Sequence, residues 1–174
     1  YKVFFINQII MLLISPHLLT QITIATAIYF FFFEINFIDM GLFATAPKYL
    51  IISLFTLTHF VVDDFSKYIV HRWMHRWPFL WALHKVHHSA TNLTPMTVFR
   101  THPLEGLVFT LRSAFAQGLT ISTFVYLFGG GVDLYTVLGA NLFVFLFNVF
   151  GSNLRHSHIG IRYWKWLEYI LISP

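Results

Sequence analysis

The chain has 174 residues, 57% of them hydrophobic, 20% aromatic and only 10% charged. A wet globular surface takes about a quarter charged residues, so composition excludes an ordinary soluble domain and points to a membrane. The formal charge of +4 is spread beside apolar segments, which excludes a nucleic-acid partner, and the lack of cysteine excludes disulfides, thiolate-ligated haem, Cys-bound iron–sulfur clusters and Cys-containing zinc sites.

In chain order, Val3–Ile14 is apolar but too short to cross a bilayer, and it ends at Ser15-Pro16. A crossing helix takes about 20 mostly apolar residues. Four segments meet that demand: Leu18–Ile38; Leu42–Val62, whose start is blurred by Pro47 and Lys48; Leu104–Phe128; and Val132–Phe150. The last two are separated by Gly129-Gly130-Gly131, read as a plain turn. The predicted fold is an all-α, integral membrane helical bundle forming one domain over residues 1–174. Two crossings lie between His102 and His156, so the chain returns to the side it left and both histidine regions share a face. Lys67, Arg72, Arg76, Lys85 and Arg100, then Arg155, Arg162 and Lys165, assign that face to the cytoplasm. Phe30–Phe33 reads as a lipid-facing or packing run. Tyr163, Trp164, Trp166 and Tyr169, interleaved with Arg162 and Lys165, read as an interfacial belt.

Five of the ten histidines fall between positions 71 and 88, as HRWMH and HKVHH. His71 and His75 are one turn apart on a helix face, and Asp64 and Tyr68 continue that stripe. Asp64 and Tyr68 are therefore candidates for orienting a ligand imidazole or touching metal-bound solvent. Pro78 is expected to end this helix, and a second helical segment then presents His84, His87 and His88. Five imidazoles exceed the three or four ligands usual for one zinc, which points to two metals. HRWMH lacks the glutamate of an HExxH protease, and the lack of a Glu-x-x-His argues against the ferritin-like carboxylate-bridged bundle. An all-nitrogen site suits O2 activation better than iron storage. His102, between Arg100 and Pro103 with Glu105 nearby, is either a ligand or part of a helix start. His156 returns to the same face and is a further ligand candidate, with His158 a water-exposed neighbour. His17 and His59 lack partners at ligand spacing and read as helix-end or core histidines.

HxxxH, then HxxHH, then Arg100-Thr101-His102-Pro103-Leu104-Glu105 resembles the fatty acid hydroxylase/sterol desaturase superfamily of integral-membrane di-iron enzymes, over roughly Asp63 to Pro174. The resemblance implies two irons, with zinc able to substitute, held by histidines of these boxes: His71, His75, His84, His87 and His88. It matches His102 to the histidine of an RxHPxE-like segment, and His156, in Asn153-Leu154-Arg155-His156-Ser157-His158, to a histidine after the second hairpin. The implied activity is an O2-dependent oxidoreductase that hydroxylates or desaturates an unactivated C–H position of a sterol, fatty acyl or related lipid drawn from the bilayer. Electrons would come from a separate cytochrome b5- or ferredoxin-like protein, because no flavin, haem or iron–sulfur motif occurs here. The implied location is the endoplasmic reticulum in a eukaryote or the inner membrane in a bacterium. The family's last HxxHH-type box follows a stretch like Leu167–Pro174, where this chain stops, so the site is expected to be incomplete at the C-terminus. Two alternatives stand beside this reading. A metal transporter or metal-binding membrane protein would need histidines at mid-membrane depth on several spans, and only His59 comes near. A catalytically inactive, structural member of the same fold is the other.

Overall fold

The computed structural model describes residues 5, 6, 9, 21–36, 38–91, 97, 100–155 and 164–166, with 151–155 as backbone only. Among them every regular element is a helix: α1 (Gln21–Ile35), α2 (Lys48–Arg76), α3 (Pro78–His84), α4 (Pro103–Phe128) and α5 (Leu134–Arg155), with 3-10 turns at His87–Ser89 and Gly129–Gly131. The all-α expectation holds. The described residues divide into two compact units, one holding 5, 6, 9 and those within 64–112, 147–155 and 164–166, the other those within 21–63 and 113–146.

In the second unit, α1 stops at Ile35 and not at Ile38, because Asn36 takes a left-handed φ of 48° and returns its N–H to the Phe32 carbonyl at 3.1 Å, a common helix stop. Of the Phe30–Phe33 run, Phe30, Phe31 and Phe33 are exposed, whereas Phe32 packs edge-on against Tyr126 at 5.8 Å. The predicted span from Leu42 is a series of turns up to Pro47, and the helix proper begins at Lys48. On α2 the buried positions Ile51, Phe55, His59 and Asp63 recur every fourth residue, so one face turns from apolar to polar as the helix advances. Ile51 and Phe55 join Phe124, Phe128 and Ala140 in the core of this unit. His59 stacks on Phe55 at 6.2 Å and is a core histidine, as its lack of neighbours at ligand spacing suggested.

The glycine turn does more than reverse the chain. Gly129 has a φ of +57°, and a Cβ on Gly131 would collide with the Ile51 side chain. Lys48 donates to the Gly131 carbonyl at 2.8 Å and pairs with Asp133 at 2.9 Å, which ties the start of α2 to this turn. Asp133 also accepts from the Thr136 N–H at 2.8 Å, an N-cap that sets the start of α5 at Leu134 rather than Val132.

By length and composition, α2 alone among the described helices suffices to cross a membrane; Gln21–Ile35 and Leu134–Phe150 are apolar but shorter. The predicted span over 104–128 forms a 26-residue helix, yet it carries Glu105, Arg112, Gln117, Thr120 and Ser122, four of which are buried.

Candidate metal centre

The apolar half of α2 ends at Val62, and the helix continues unbroken into the first histidine box. There His71 and His75 bring their Nε2 atoms to 3.1 Å. Met74, with no exposed surface, fixes the roll of this helix end. Trp77 then breaks the helix with φ −94° and ψ 124°, and Pro78 takes the first position of α3. A residue before proline is pushed to extended backbone, and the missing proline N–H costs nothing at a helix start. The break packs the ring of His84 against those of His71 and His75, at 4.7 and 4.8 Å.

The second box was expected to lie on one helical segment. In the structure α3 ends at His84 and residues 87–89 form a 3-10 turn. The tighter turn still delivers His88, whose Nε2 lies 3.1 Å from that of His84. His87 instead stacks on His84 at 5.5 Å. His71, His75, His84 and His88 thus form a group whose ligand atoms all lie within 4.8 Å of one another. Four nitrogens at about 2.1 Å around a tetrahedral ion stand about 3.4 Å apart, so this arrangement fits one ion with modest closure. Trp81 leans over the group, 5.3 Å from the His75 ring and 5.7 Å from that of His88.

A metal needs neutral imidazoles. Burial first, then the neighbouring His84, His75, His88 and His87, pushes His71 down from 6.5 to about 3. Burial, followed by His84 and His88, also lowers His75. Burial and crowding that disfavour the cations of His71 and His75 keep their ring nitrogens available as donors.

The sequence reading did not connect Glu105 to this group. Its Oε1 lies 2.7 Å from His84 Nδ1, and both side chains are 2% exposed. At that separation Nδ1 carries the proton and donates it, so Nε2 faces the other three rings. Glu105 Oε2 accepts from the His102 backbone N–H at 3.4 Å, and His102 Nδ1 accepts from the Leu104 N–H at 3.2 Å. His102 is therefore the reciprocal cap of α4, in the manner of a capping box, and lies outside the four-nitrogen group. Asp64 is 2% exposed and 4.0 Å from Lys67. Tyr68 accepts from Arg72 at 2.7 Å. His156, His158, His17, Tyr163 and Tyr169, and the Val3–Ile14 segment apart from Phe5, Ile6 and Ile9, lie outside the described residues. Trp164 and Trp166 are exposed and stacked at 6.1 Å.

The family model for fatty acid hydroxylase matches residues 56–174, a stretch holding both histidine boxes and the Arg100–Glu105 segment. The chain is similar to the Delta(7)-sterol 5(6)-desaturase of Eremothecium gossypii, 36% identical over 73 residues, which is 41% of this chain and 20% of that protein. To the Delta(7)-sterol 5(6)-desaturase of Saccharomyces cerevisiae it is 42% identical over 60 residues, 34% of this chain and 16% of that one. A putative methylsterol monooxygenase of Dictyostelium discoideum is 29% identical over 133 residues, 72% of this chain and 45% of that protein. The matches thus cover less than half the length of each of these curated relatives. No solved structure matches the chain.

Proposed function

This chain belongs to the fatty acid hydroxylase family, and from that premise we propose that it forms the core of a membrane-bound di-iron oxygenase that hydroxylates or desaturates a sterol, fatty acyl or related lipid. The observation that carries this reading is the convergence of His71, His75, His84 and His88 within 4.8 Å, on residues that the family model covers. Two electrons, two protons and O2 convert R–H to R–OH and one water, or a CH2–CH2 unit to an alkene and two waters. Iron held there would relay the donor's electrons to O2 and supply the oxidising equivalent that breaks the C–H bond. The four converged imidazoles would hold one ion; His87 and His156 are the remaining candidates for a second, and zinc can substitute. Asp64 and Tyr68 are candidate positioning groups on the same helix. Trp81 packs its ring against those of His75 and His88.

The membrane reading is supported by the apolar half of α2 and by the many large hydrophobic side chains left exposed, Leu57, Phe115, Leu142, Phe145 and Phe150 among them. Apolar surface of that extent needs lipid or protein around it. A cavity of about 370 Å³ lined by Phe31, Phe32, Ile35, Ile38, Thr123, Tyr126 and Leu127 supports lipid contact in the apolar unit. The basic residues of the 67–100 stretch favour a cytoplasmic histidine face, with two crossings bringing His156 back to it. The endoplasmic reticulum of a eukaryote or the inner membrane of a bacterium, and a cytochrome b5- or ferredoxin-like electron donor, complete the proposal.

The test uses the full-length natural protein in membranes, loaded with iron and supplied with O2, a reduced donor and a panel of sterols and fatty acyl lipids. Mass spectrometry should find one lipid gaining an oxygen or losing two hydrogens, and the product should vanish in His88→Ala. A protein that keeps a single zinc and oxidises no lipid after iron loading refutes the proposal.

A further inference from the structure

Resting on the metal-site reading above, we infer that Glu105 is a positioning residue for His84, and that the Arg100–Glu105 segment serves the site through this carboxylate rather than through the His102 ring. The two oxygens of Glu105 do different things. Oε1 accepts a hydrogen bond from the Nδ1–H of His84 at 2.7 Å, and Oε2 accepts from the His102 backbone N–H at 3.4 Å. The carboxylate thereby sits at the start of α4, 2% exposed, with one oxygen on the imidazole and the other on the backbone. A carboxylate on the far nitrogen of a ligand histidine fixes the tautomer and ring orientation and strengthens the donor nitrogen; losing such a partner lowers metal affinity about 10–100-fold.

The neighbouring residues have the properties this role requires. Pro103 stands at the first position of α4, where its fixed φ favours the helix, and the His102 ring caps the Leu104 N–H. Together they hold the first turn in which Glu105 sits. Of the four converging histidines, His84 is the deepest at 1% exposure, so its orientation gains most from a buried partner.

The test is a titration of the metal-stripped, full-length protein with Co(II) alone, read by visible absorption and by competition with a chelator. Wild type should bind, and His88→Ala should abolish binding at this group. Glu105→Gln should weaken cobalt binding 10–100-fold and shift the d–d bands, while His102→Ala, which keeps the backbone N–H that anchors Oε2, should change affinity less than threefold. Should Glu105→Gln be recovered only as aggregate, Glu105→Asp and Glu105→Asn take its place. They share a length and differ in charge, and the Asp variant should bind cobalt at least tenfold tighter. Cobalt binding unchanged in Glu105→Gln, or equal in the Asp and Asn variants, overturns the inference alone. A wild-type protein that binds no cobalt overturns the metal-site reading and this inference with it.

Discussion

Exchanging two members of the histidine group for alanine separates metal binding from folding. His84 and His88 face each other at 3.1 Å, but His84 is 1% exposed while His88 is open to solvent. His84→Ala removes the donor to Glu105 Oε1, leaving a carboxylate oxygen stranded in a site only 2% exposed. Breaking a buried pair by deleting one partner costs about 3–5 kcal/mol. His88→Ala strands no buried charge, and an exposed substitution of that kind shifts stability by about 0.5 kcal/mol. Both variants should lose metal at this group to the same degree. The comparison is made by denaturing the metal-free protein in one detergent, because bound metal would add its own stabilisation and mask the difference. A double variant, His84→Leu with Glu105→Leu, should regain most of the lost stability without regaining metal, since apolar side chains commonly replace a buried pair at little cost. Equal destabilisation by His84→Ala and His88→Ala, or a double variant no more stable than the single, would refute the reasoning.

Two further outcomes follow from the same structure. The folded-state pKa of His71 is depressed to about 3 from 6.5, so the folded chain binds that proton more weakly than the unfolded one. Its stabilising contribution is complete above pH 6.5 and lost as pH falls toward 3. Thermal midpoints of metal-free protein should therefore drop between pH 7 and pH 5, and His71→Gln should flatten the drop; an identical drop in the variant refutes this. A Cβ at Gly118 would lie 2.8 Å from Ile24 Cγ2 and 3.1 Å from the Ala25 backbone nitrogen, whereas one at Gly139 meets nothing within 4 Å. Gly118→Ala should cost about 1–3 kcal/mol and Gly139→Ala should gain about 0.5–1 kcal/mol in thermal unfolding, and equal effects would refute that packing.

Much of the local structure was legible because it follows from short-range rules. The i,i+4 spacing of His71 and His75, the break at Pro78 and the reversal at Gly129–Gly131 each depend on neighbouring residues alone. The segment boundaries that shifted also have local causes, but ones hidden in side-chain and backbone details: the left-handed Asn36 and the Asp133 cap. Long-range pairings were not legible. Glu105 and His84 are separated by 21 positions, and nothing in the hydrophobic period points one at the other. Lys48 reaches Gly131 across 83 positions, so a turn read as plain is an anchoring point. His87 was grouped with His88 because a continuous helix puts both near His84. The change to a 3-10 turn after Lys85 separates them, and spacing alone does not reveal such a change of helix type.

The group is costly to the chain that folds without metal. Burial and mutual crowding hold His71 and His75 away from protonation, and a buried carboxylate is satisfied through the very ring that must also face its three neighbours. A core built for stability alone would place apolar side chains at 84 and 105. The arrangement becomes favourable once an ion accepts the four lone pairs, because binding then contributes free energy that only the folded chain can collect. Metal loading and the stability of the 64–112 unit should therefore rise and fall together. The residues that couple them most strongly are those whose second nitrogen is already committed, which among the four singles out His84.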